Sequence, residues 1–161
     1  MIILGVDPGT ARCGYGVIEL KGSVIKPLGY GLLKVKKEDC ASRNLLFLKQ
    51  SLSEIIEEYK PDHFGIERLF FNKNVTTAMK VSEARGVLLL AAAEADLTVS
   101  EFTPQQIKSA ITGNGHAPKD QVGKMVKILL GLKEVPKPDD IADALAVAII
   151  ASRTVNYLKG R

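Results

Sequence analysis

Apolar residues near the start of the chain form short continuous runs, which predict buried β-strands. Residues 2–7 are almost wholly apolar, as is typical of a central strand that is buried on both faces. Residues 14–20 and 28–35 follow after short glycine-containing connections, and they predict an antiparallel meander with the first strand. Two later runs, at 63–67 and 97–101, predict a fourth and a fifth strand.

Apolar residues elsewhere recur every three to four positions, which is the spacing of an amphipathic helix. The segments predicted to be helical are about 45–59, 75–95, a short helix opened by Thr103-Pro104, 122–130, and a last helix opened by Lys137-Pro138-Asp139. Helical connections place the first, fourth and fifth strands parallel to one another. The sequence therefore predicts an α/β fold with a five-stranded mixed sheet.

Acidic residues stand where this pattern leads one to expect apolar ones. Asp7 closes the first strand, Glu67 closes the fourth, and Asp140 and Asp143 stand three apart at the head of the last helix. Parallel strands end at one edge of a sheet, and an i, i+3 pair shares a helix face, so these four carboxylates can meet. Two such charges ~4 Å apart repel by about 4 kcal/mol at an effective dielectric near 20. We therefore expect a divalent cation, Mg²⁺ or Mn²⁺, to hold them together.

Some of these acids also have an ordinary structural interpretation. Asp7 could be a turn residue before Pro8-Gly9, and Glu67 could be an exposed residue at a strand end. Glu101 competes for a place in the acidic site, because it too closes a predicted parallel strand. The apolar pattern alone does not separate these alternatives.

Aromatic and basic residues near the predicted site are candidates for contact with nucleic acid. Phe70 and Phe71 would usually be core, but an aromatic among basic residues can stack on an exposed base, and periodicity does not decide between the two. Lys119 follows a glycine-containing loop at 112–118, which suits contact with phosphates. His116 in the same loop is expected to be a plain loop residue.

Composition indicates the domain organisation and the cellular compartment of the protein more than any reaction that it catalyses. The 161 residues are 46% hydrophobic, which predicts one domain over 1–161, and the net charge of +4 mildly favours a polyanionic partner. Cys13 and Cys40 form no CxxC pair, so we expect neither a zinc site nor a disulfide framework. The N-terminal run lacks the features of a signal peptide, and no segment approaches a membrane span. A cytoplasmic protein without membrane contact is therefore expected.

Several sequence blocks together resemble a known family. They are Asp7-Pro8-Gly9-Thr10 with Gly14-Tyr15-Gly16-Val17, then Ile66-Glu67, Ala84-Arg85-Gly86, and Asp140-Ile141-Ala142-Asp143-Ala144-Leu145-Ala146. In this order and spacing they resemble RuvC, the family of bacterial Holliday-junction resolvases in the RNase H-like superfamily. The resemblance implies an RNase H-like fold, with a five-stranded mixed sheet flanked by helices on both faces.

The resemblance also assigns roles to residues. It implies four catalytic, metal-binding carboxylates, one aromatic at the junction crossover and two DNA-contacting lysines: Asp7, Glu67, Asp140 and Asp143, then Phe70, then Lys108 and Lys119. Asp139 precedes Asp140 directly, but the i, i+3 spacing to Asp143 selects Asp140. Asp139 is expected to cap the last helix or to bond its free N–H groups.

The resemblance implies a structure-selective DNA endonuclease. Such an enzyme resolves four-way junctions by symmetric, metal-dependent phosphodiester hydrolysis in recombination and repair, and leaves 5′-phosphate ends. Two Mg²⁺ ions per active site are implied, with Mn²⁺ as the alternative. A homodimer is implied as well, with RuvA and RuvB as branch-migration partners, and the helix over 75–95 is our expected interface.

Two other classes of protein fit less well. An ATPase of the actin or sugar-kinase type needs two domains to close over its nucleotide, and this chain is too short for that. A non-catalytic nucleic-acid binder has no use for four inward carboxylates, which repel DNA unless metal is bound.

Overall fold

A mixed sheet with the strand order β3-β2-β1-β4-β5 runs through the computed structural model, which describes residues 1–9, 12–33, 40–69 and 75–159. Its strands are β1 (Ile2–Asp7), β2 (Gly14–Lys21), β3 (Val24–Leu32), β4 (His63–Glu67) and β5 (Thr98–Phe102). β1 pairs antiparallel with β2 and parallel with β4, which is itself parallel to β5. The predicted fold class, the meander and the parallel strands are confirmed.

Helices cover both faces of this sheet. They are α1 (Ala41–Tyr59), α2 (Val75–Glu94), α3 (Pro104–Thr112), α4 (Lys119–Leu130) and α5 (Asp139–Lys159). Leu4 and Phe64 pack with α1 and α2 on one face, whereas Ile3 and Phe102 pack with α3, α4 and α5 on the other. Neighbouring residues enter different cores because successive strand side chains point to opposite faces. Among the described residues, no helix has the length and hydropathy to cross a membrane.

Local signals at the helix ends act as the sequence predicted. Thr103 caps α3: its side chain accepts a hydrogen bond from the Gln106 N–H, and the Gln106 side chain accepts one from the Thr103 N–H. Pro104 stands at the first helical position, where its missing N–H costs nothing. Gly131 closes α4 with a left-handed backbone, at φ +62°.

The third strand differs from its prediction. It runs over Val24–Leu32 instead of 28–35, and positions 34 and 35 lie outside the described residues. A tight turn at Gly22, with φ +60°, lets β3 begin almost directly after β2. Pro27 lies inside β3, which is an edge strand, where a missing N–H is tolerated.

Helix α5 lies directly against the backbone of β1 and β2. A Cβ on Gly5 would overlap the backbone of Ala144, and a Cβ on Gly14 would overlap the carbonyl of Asp140. Glycine is required at both positions because the two backbones approach so closely. Gly14 is the β2 partner of Asp7, so the start of α5 lies beside the end of β1.

Candidate active site

The ends of β1 and β4 place two acidic residues side by side. Asp7 and Glu67 come one step after the last paired residues of the two parallel strands. Each stands two positions after a glycine that faces α5, namely Gly5 and Gly65, so both side chains point to the α5 face. The two carboxyl groups act on each other: the charge of Glu67 raises the pKa of Asp7, after the larger effect of burial.

Helix α5 brings further acids to the same place. Its first turn carries Asp140, whose backbone lies over Gly14, and Asp143 follows one turn later. The charge of Asp140 raises the pKa of both Asp7 and Asp143. The four carboxylates predicted for the site therefore belong to one electrostatic cluster, assembled from β1, β4 and α5.

A cleft of about 200 Å³ opens at this edge of the sheet. Three of the four acids line it, both predicted lysines line it, and α3 and α4 supply the remaining wall: Asp7, Glu67, Asp143, Lys108, Lys119, Pro104, Ile107 and Val122. Asp140 acts on this cleft through its charge on Asp7. Phe70 lies outside the described residues, and so does Phe71.

Burial and mutual repulsion disfavour the ionised forms of Asp7, Glu67 and Asp143 when no metal is bound. Burial is the largest cause that raises the pKa of Asp7, to about 8, and the charges of Glu67, Asp143 and Asp140 add to it. Burial also raises the pKa of Glu67 and of Asp143. A site that disfavours its own ionised carboxylates this strongly is short of positive charge.

Lysines supply part of the missing charge. The Nζ of Lys119 lies 3.2 Å from Oδ2 of Asp143, and this pairing raises the pKa of Lys119. The charge of Lys108 lowers the pKa of Glu67. The Lys119 side chain is 68% exposed, so its ion pair contributes little to stability. It is therefore free to exchange its partner for a phosphate.

The donor chemistry of the cleft fits a hard divalent cation. In the described part of the chain, no three His, Cys, Asp or Glu side chains already form a group that could hold a metal ion. The four acids nevertheless offer only carboxylate oxygens, which Mg²⁺ and Mn²⁺ prefer as ligands. The raised pKa values of Asp7, Glu67 and Asp143 agree with a site that lacks positive charge. Asp7, Glu67, Asp140 and Asp143 are thus the residues that could bind such a cation.

Residues that competed for the site in the sequence lie apart from it. Glu101 pairs with Ile66 across β4 and β5, so its side chain is on the α2 face of the sheet, where it contacts Arg85. Cys13 is fully buried, and burial raises the pKa of its thiol to about 12, which leaves it inert. His116 is not among the residues that line the cleft.

One contact at the site was not predicted from the sequence. Arg85 donates from Nε to the carbonyl oxygen of Glu67 at 3.0 Å, although 18 positions separate the two residues. The Ala84-Arg85-Gly86 block was recognised as a motif, but no periodicity signals that a side chain caps a strand end. The walls supplied by Ile107 and Val122 were not predicted as part of the site.

Comparison with known proteins agrees with this geometry. The family model of "Crossover junction endodeoxyribonuclease RuvC" matches residues 3–151. A RuvC of Heliobacterium modesticaldum is 50% identical over 157 residues, covering 98% of this chain and 97% of its own. A RuvC of Desulforamulus reducens is 51% identical over 161 residues, covering 100% and 99%.

Solved structures extend the likeness to three dimensions. The Thermus thermophilus RuvC structure has a TM-score of 0.87 at 34% identity, covering 98% of this chain and 96% of that one. The structure of T. thermophilus RuvC in complex with Holliday junction substrate has a TM-score of 0.91 at the same identity and coverage. With its cleft of carboxylates at the ends of β1 and β4, this chain belongs to the RuvC family of crossover junction endodeoxyribonucleases.

Proposed function

We propose that this chain resolves four-way DNA junctions by symmetric, metal-dependent phosphodiester hydrolysis, in DNA recombination and repair. The observation that carries the proposal is the cleft in which Asp7, Glu67 and Asp143 meet Lys108 and Lys119. A family of endodeoxyribonucleases supplies the reaction class, and the fold shared with a junction-bound relative supplies the substrate class.

Four carboxylates would hold the cations: Asp7, Glu67, Asp140 and Asp143. We propose two Mg²⁺ ions per active site, with Mn²⁺ as the alternative. Bound metal supplies Lewis acidity, which lowers the pKa of an attacking water and stabilises the oxygen that leaves. Asp7 is the central member of the set, because Glu67, Asp140 and Asp143 all act on it.

The chain's own residues then orient the substrate and move the proton. Lys108 and Lys119 border the acids and can neutralise the phosphates on either side of the scissile bond. Any of the four carboxylates that lies near the attacking water could accept its proton. Cleavage of the 3′ P–O bond gives a 5′-phosphate and a 3′-hydroxyl. Phe70 would stack on bases at the crossover and hold them unpaired.

A homodimer follows from the symmetry of the proposed substrate. A four-way junction is two-fold symmetric, so two matching cuts need two sites related by a two-fold axis. Helix α2 exposes Met79 and Leu90, which supports its use as the interface. We further propose that residues 1–161 act as a single nuclease domain in the cytoplasm, with the family's RuvA and RuvB as branch-migration partners.

A synthetic four-way junction, compared with a linear duplex of the same sequence, tests the proposal. With Mg²⁺ we expect paired, symmetric nicks in the junction and little cutting of the duplex. EDTA should abolish the nicks, and end-labelling should identify 5′-phosphates. Equal cutting of both substrates, or cutting without divalent metal, would overturn the proposal.

A further inference from the structure

Arg85 reaches from α2 to the strand end that carries Glu67. Its Nε donates to the Glu67 carbonyl oxygen at 3.0 Å, and its Nη2 pairs with Oε2 of Glu101 on β5. The arginine side chain is only 17% exposed, and its contact with the Glu67 carbonyl is partly buried, whereas Glu101 is 37% exposed. Hydrogen bonds with a charged donor are the stronger kind, and this one ends on the backbone of a residue that lines the cleft.

The peptide group that follows Glu67 is held at both of its polar atoms. The N–H of Arg68 donates to the carbonyl of Phe102 at 2.7 Å, and the C=O of Glu67 accepts from Arg85. β4 ends at Glu67, so strand pairing no longer fixes the chain beyond this point. Arg85 therefore supplies a donor at the strand end, and it helps to fix the backbone from which the Glu67 carboxylate enters the cleft.

Glu101 orients the guanidinium of Arg85 toward the carbonyl of Glu67. It sits on the α2 face of the sheet, on the strand next to β4, and it binds the end of Arg85 that is not used for Glu67. A planar guanidinium offers several donors in a fixed fork, so it can bridge a carboxylate and a carbonyl at once. A lysine at this position would offer only a point charge on a flexible stem.

We propose that Arg85, oriented by Glu101, is the positioning residue for Glu67. This inference rests on the proposed function, because it takes Glu67 to be a ligand of the catalytic metal. Groups that orient metal ligands without touching the ion are worth about 10- to 100-fold in metal affinity or activity. Loss of Arg85 should therefore weaken the use of metal far more than the binding of DNA.

A direct contact between Arg85 and DNA is the main competing explanation. Arg85 borders a separate depression on the other side of the strand end, lined by Arg68, Leu69, Ser82, Gly86 and Glu101. It is absent from the residues that line the acidic cleft. Its Nε donates to a carbonyl and its Nη2 pairs with a carboxylate, so its charge is balanced by Glu101. A phosphate that took the Nη2 donor would have to displace that carboxylate.

Three variants with one matched control test the proposal. Arg85→Met removes the fork, Arg85→Lys keeps the charge without it, and Glu101→Gln keeps an acceptor for the guanidinium. Lys49→Met is the control, because Lys49 also pairs with a glutamate of α2, Glu94, at 2.8 Å but lies on α1. The measurements are Mn²⁺ affinity without DNA by electron paramagnetic resonance, the Mg²⁺ dependence of single-turnover nicking, junction affinity in EDTA, and Tm.

Arg85→Met should bind Mn²⁺ about tenfold more weakly and need about tenfold more Mg²⁺ for half-maximal nicking. Its junction affinity in EDTA should stay within about twofold of wild type. The metal dependence of Arg85→Lys should lie between those of Arg85→Met and wild type. Glu101→Gln should stay active with a smaller defect than Arg85→Met, and Lys49→Met should match wild type.

Unchanged Mn²⁺ and Mg²⁺ dependence in both Arg85 variants would overturn the proposal, whether or not their Tm falls. So would a loss of junction affinity with normal metal binding, which would make Arg85 a DNA contact. Failure of the proposed function looks different: wild type would then bind Mn²⁺ without nicking junctions. The Mn²⁺ affinity of the Arg85 variants would still decide whether Arg85 positions Glu67.

Discussion

The two faces of the sheet treat acidic residues at the same edge in opposite ways. On the α2 face, Glu101 is paired with Arg85, a cation of the protein itself. On the α5 face, Asp7 and Glu67 are partly buried beside each other, and burial raises the pKa of both. Lys119 is exposed and pairs with Asp143, so it is better placed than Lys108 to act as a counter-ion. The α2 face shows that this fold can neutralise an acid at a strand end with one of its own cations. The α5 face leaves its acids short of positive charge, so it is suited to bind a cation from solution.

Removal of the acids on the α5 face should have the largest effect. Asp7→Asn, Glu67→Gln, Asp140→Asn and Asp143→Asn should each lower junction nicking by more than ~100-fold, beyond the loss expected for a merely supporting group. Junction binding should persist or tighten, because a negative charge near DNA is gone. A nicking assay beside a gel-shift assay checks both.

Asp139→Asn is the matched control for this comparison. Asp139 and Asp140 are adjacent, and the charge of Asp139 acts on Asp143 and Lys119. We expect Asp139→Asn to keep most of its activity, since i, i+3 spacing assigns the ligand role to Asp140. Normal cutting by Asp143→Asn would mean that the metal site is misassigned, and equal losses at positions 139 and 140 would leave Asp140 without its special role.

The metal-free protein should become less stable as pH rises. Asp7 has a pKa near 8 in the folded protein against 3.8 in a model peptide, so the folded state holds its proton more tightly. That stabilisation is complete below about pH 4 and is lost as pH rises through 8, by several kcal/mol at most. Urea unfolding in EDTA at pH 5.5 and 8.5 measures it. Asp7→Asn should remove most of the pH dependence, and Mg²⁺ should restore wild type at pH 8.5.

The smallest effect should come from Lys119, the exposed cation of the cleft. Lys119→Ala should weaken junction binding and flatten the log–log salt dependence by about 0.9, the loss of one phosphate contact. Lys124→Ala is its control on the same helix, because Lys124 pairs with Asp120 and is similarly exposed. Equal slopes for the two variants would remove Lys119 from the DNA interface.

Phe70→Ala separates stacking from charge in the same assay. Stacking releases no counterion, so the salt slope should stay at its wild-type value while nicking falls. A fluorescent adenine analogue at the crossover reports the unstacking directly. If Phe71→Ala abolishes the signal and Phe70→Ala does not, the aromatic role belongs to Phe71.

The sequence predicted the acids of the site better than their surroundings. Asp7 and Glu67 were visible because each interrupts an apolar run at its end, and Asp140 and Asp143 because they open an apolar helix. The overlap of α5 with Gly14 was hidden, since no periodicity shows which backbones will touch. The same holds for Arg85, whose partner is a carbonyl oxygen that every residue carries.

A predicted strand boundary was wrong where the local preference of a residue disagrees with its strand pairing. Pro27 disfavours a strand, but the edge position of β3 and a register shift between Val17 and Ile18 accommodate it. The size of the pKa shift of Asp7 could not be predicted either, because it depends on how deeply the folded chain buries that carboxyl. Sequence pattern thus predicts the candidate ligands, whereas tertiary packing affects their charge state.

The glycines beneath α5 have a consequence for anyone who wishes to transplant or redesign this site. The distance between the helix and the strand ends is set by the absence of side chains at Gly5 and Gly14, where even a methyl group would overlap the helix backbone. Alanine at position 14 would lift the first turn of α5 and separate Asp140 from Asp7. A transplanted site would therefore need the glycine-containing strands together with α5, because the acids alone would not keep their arrangement on another scaffold.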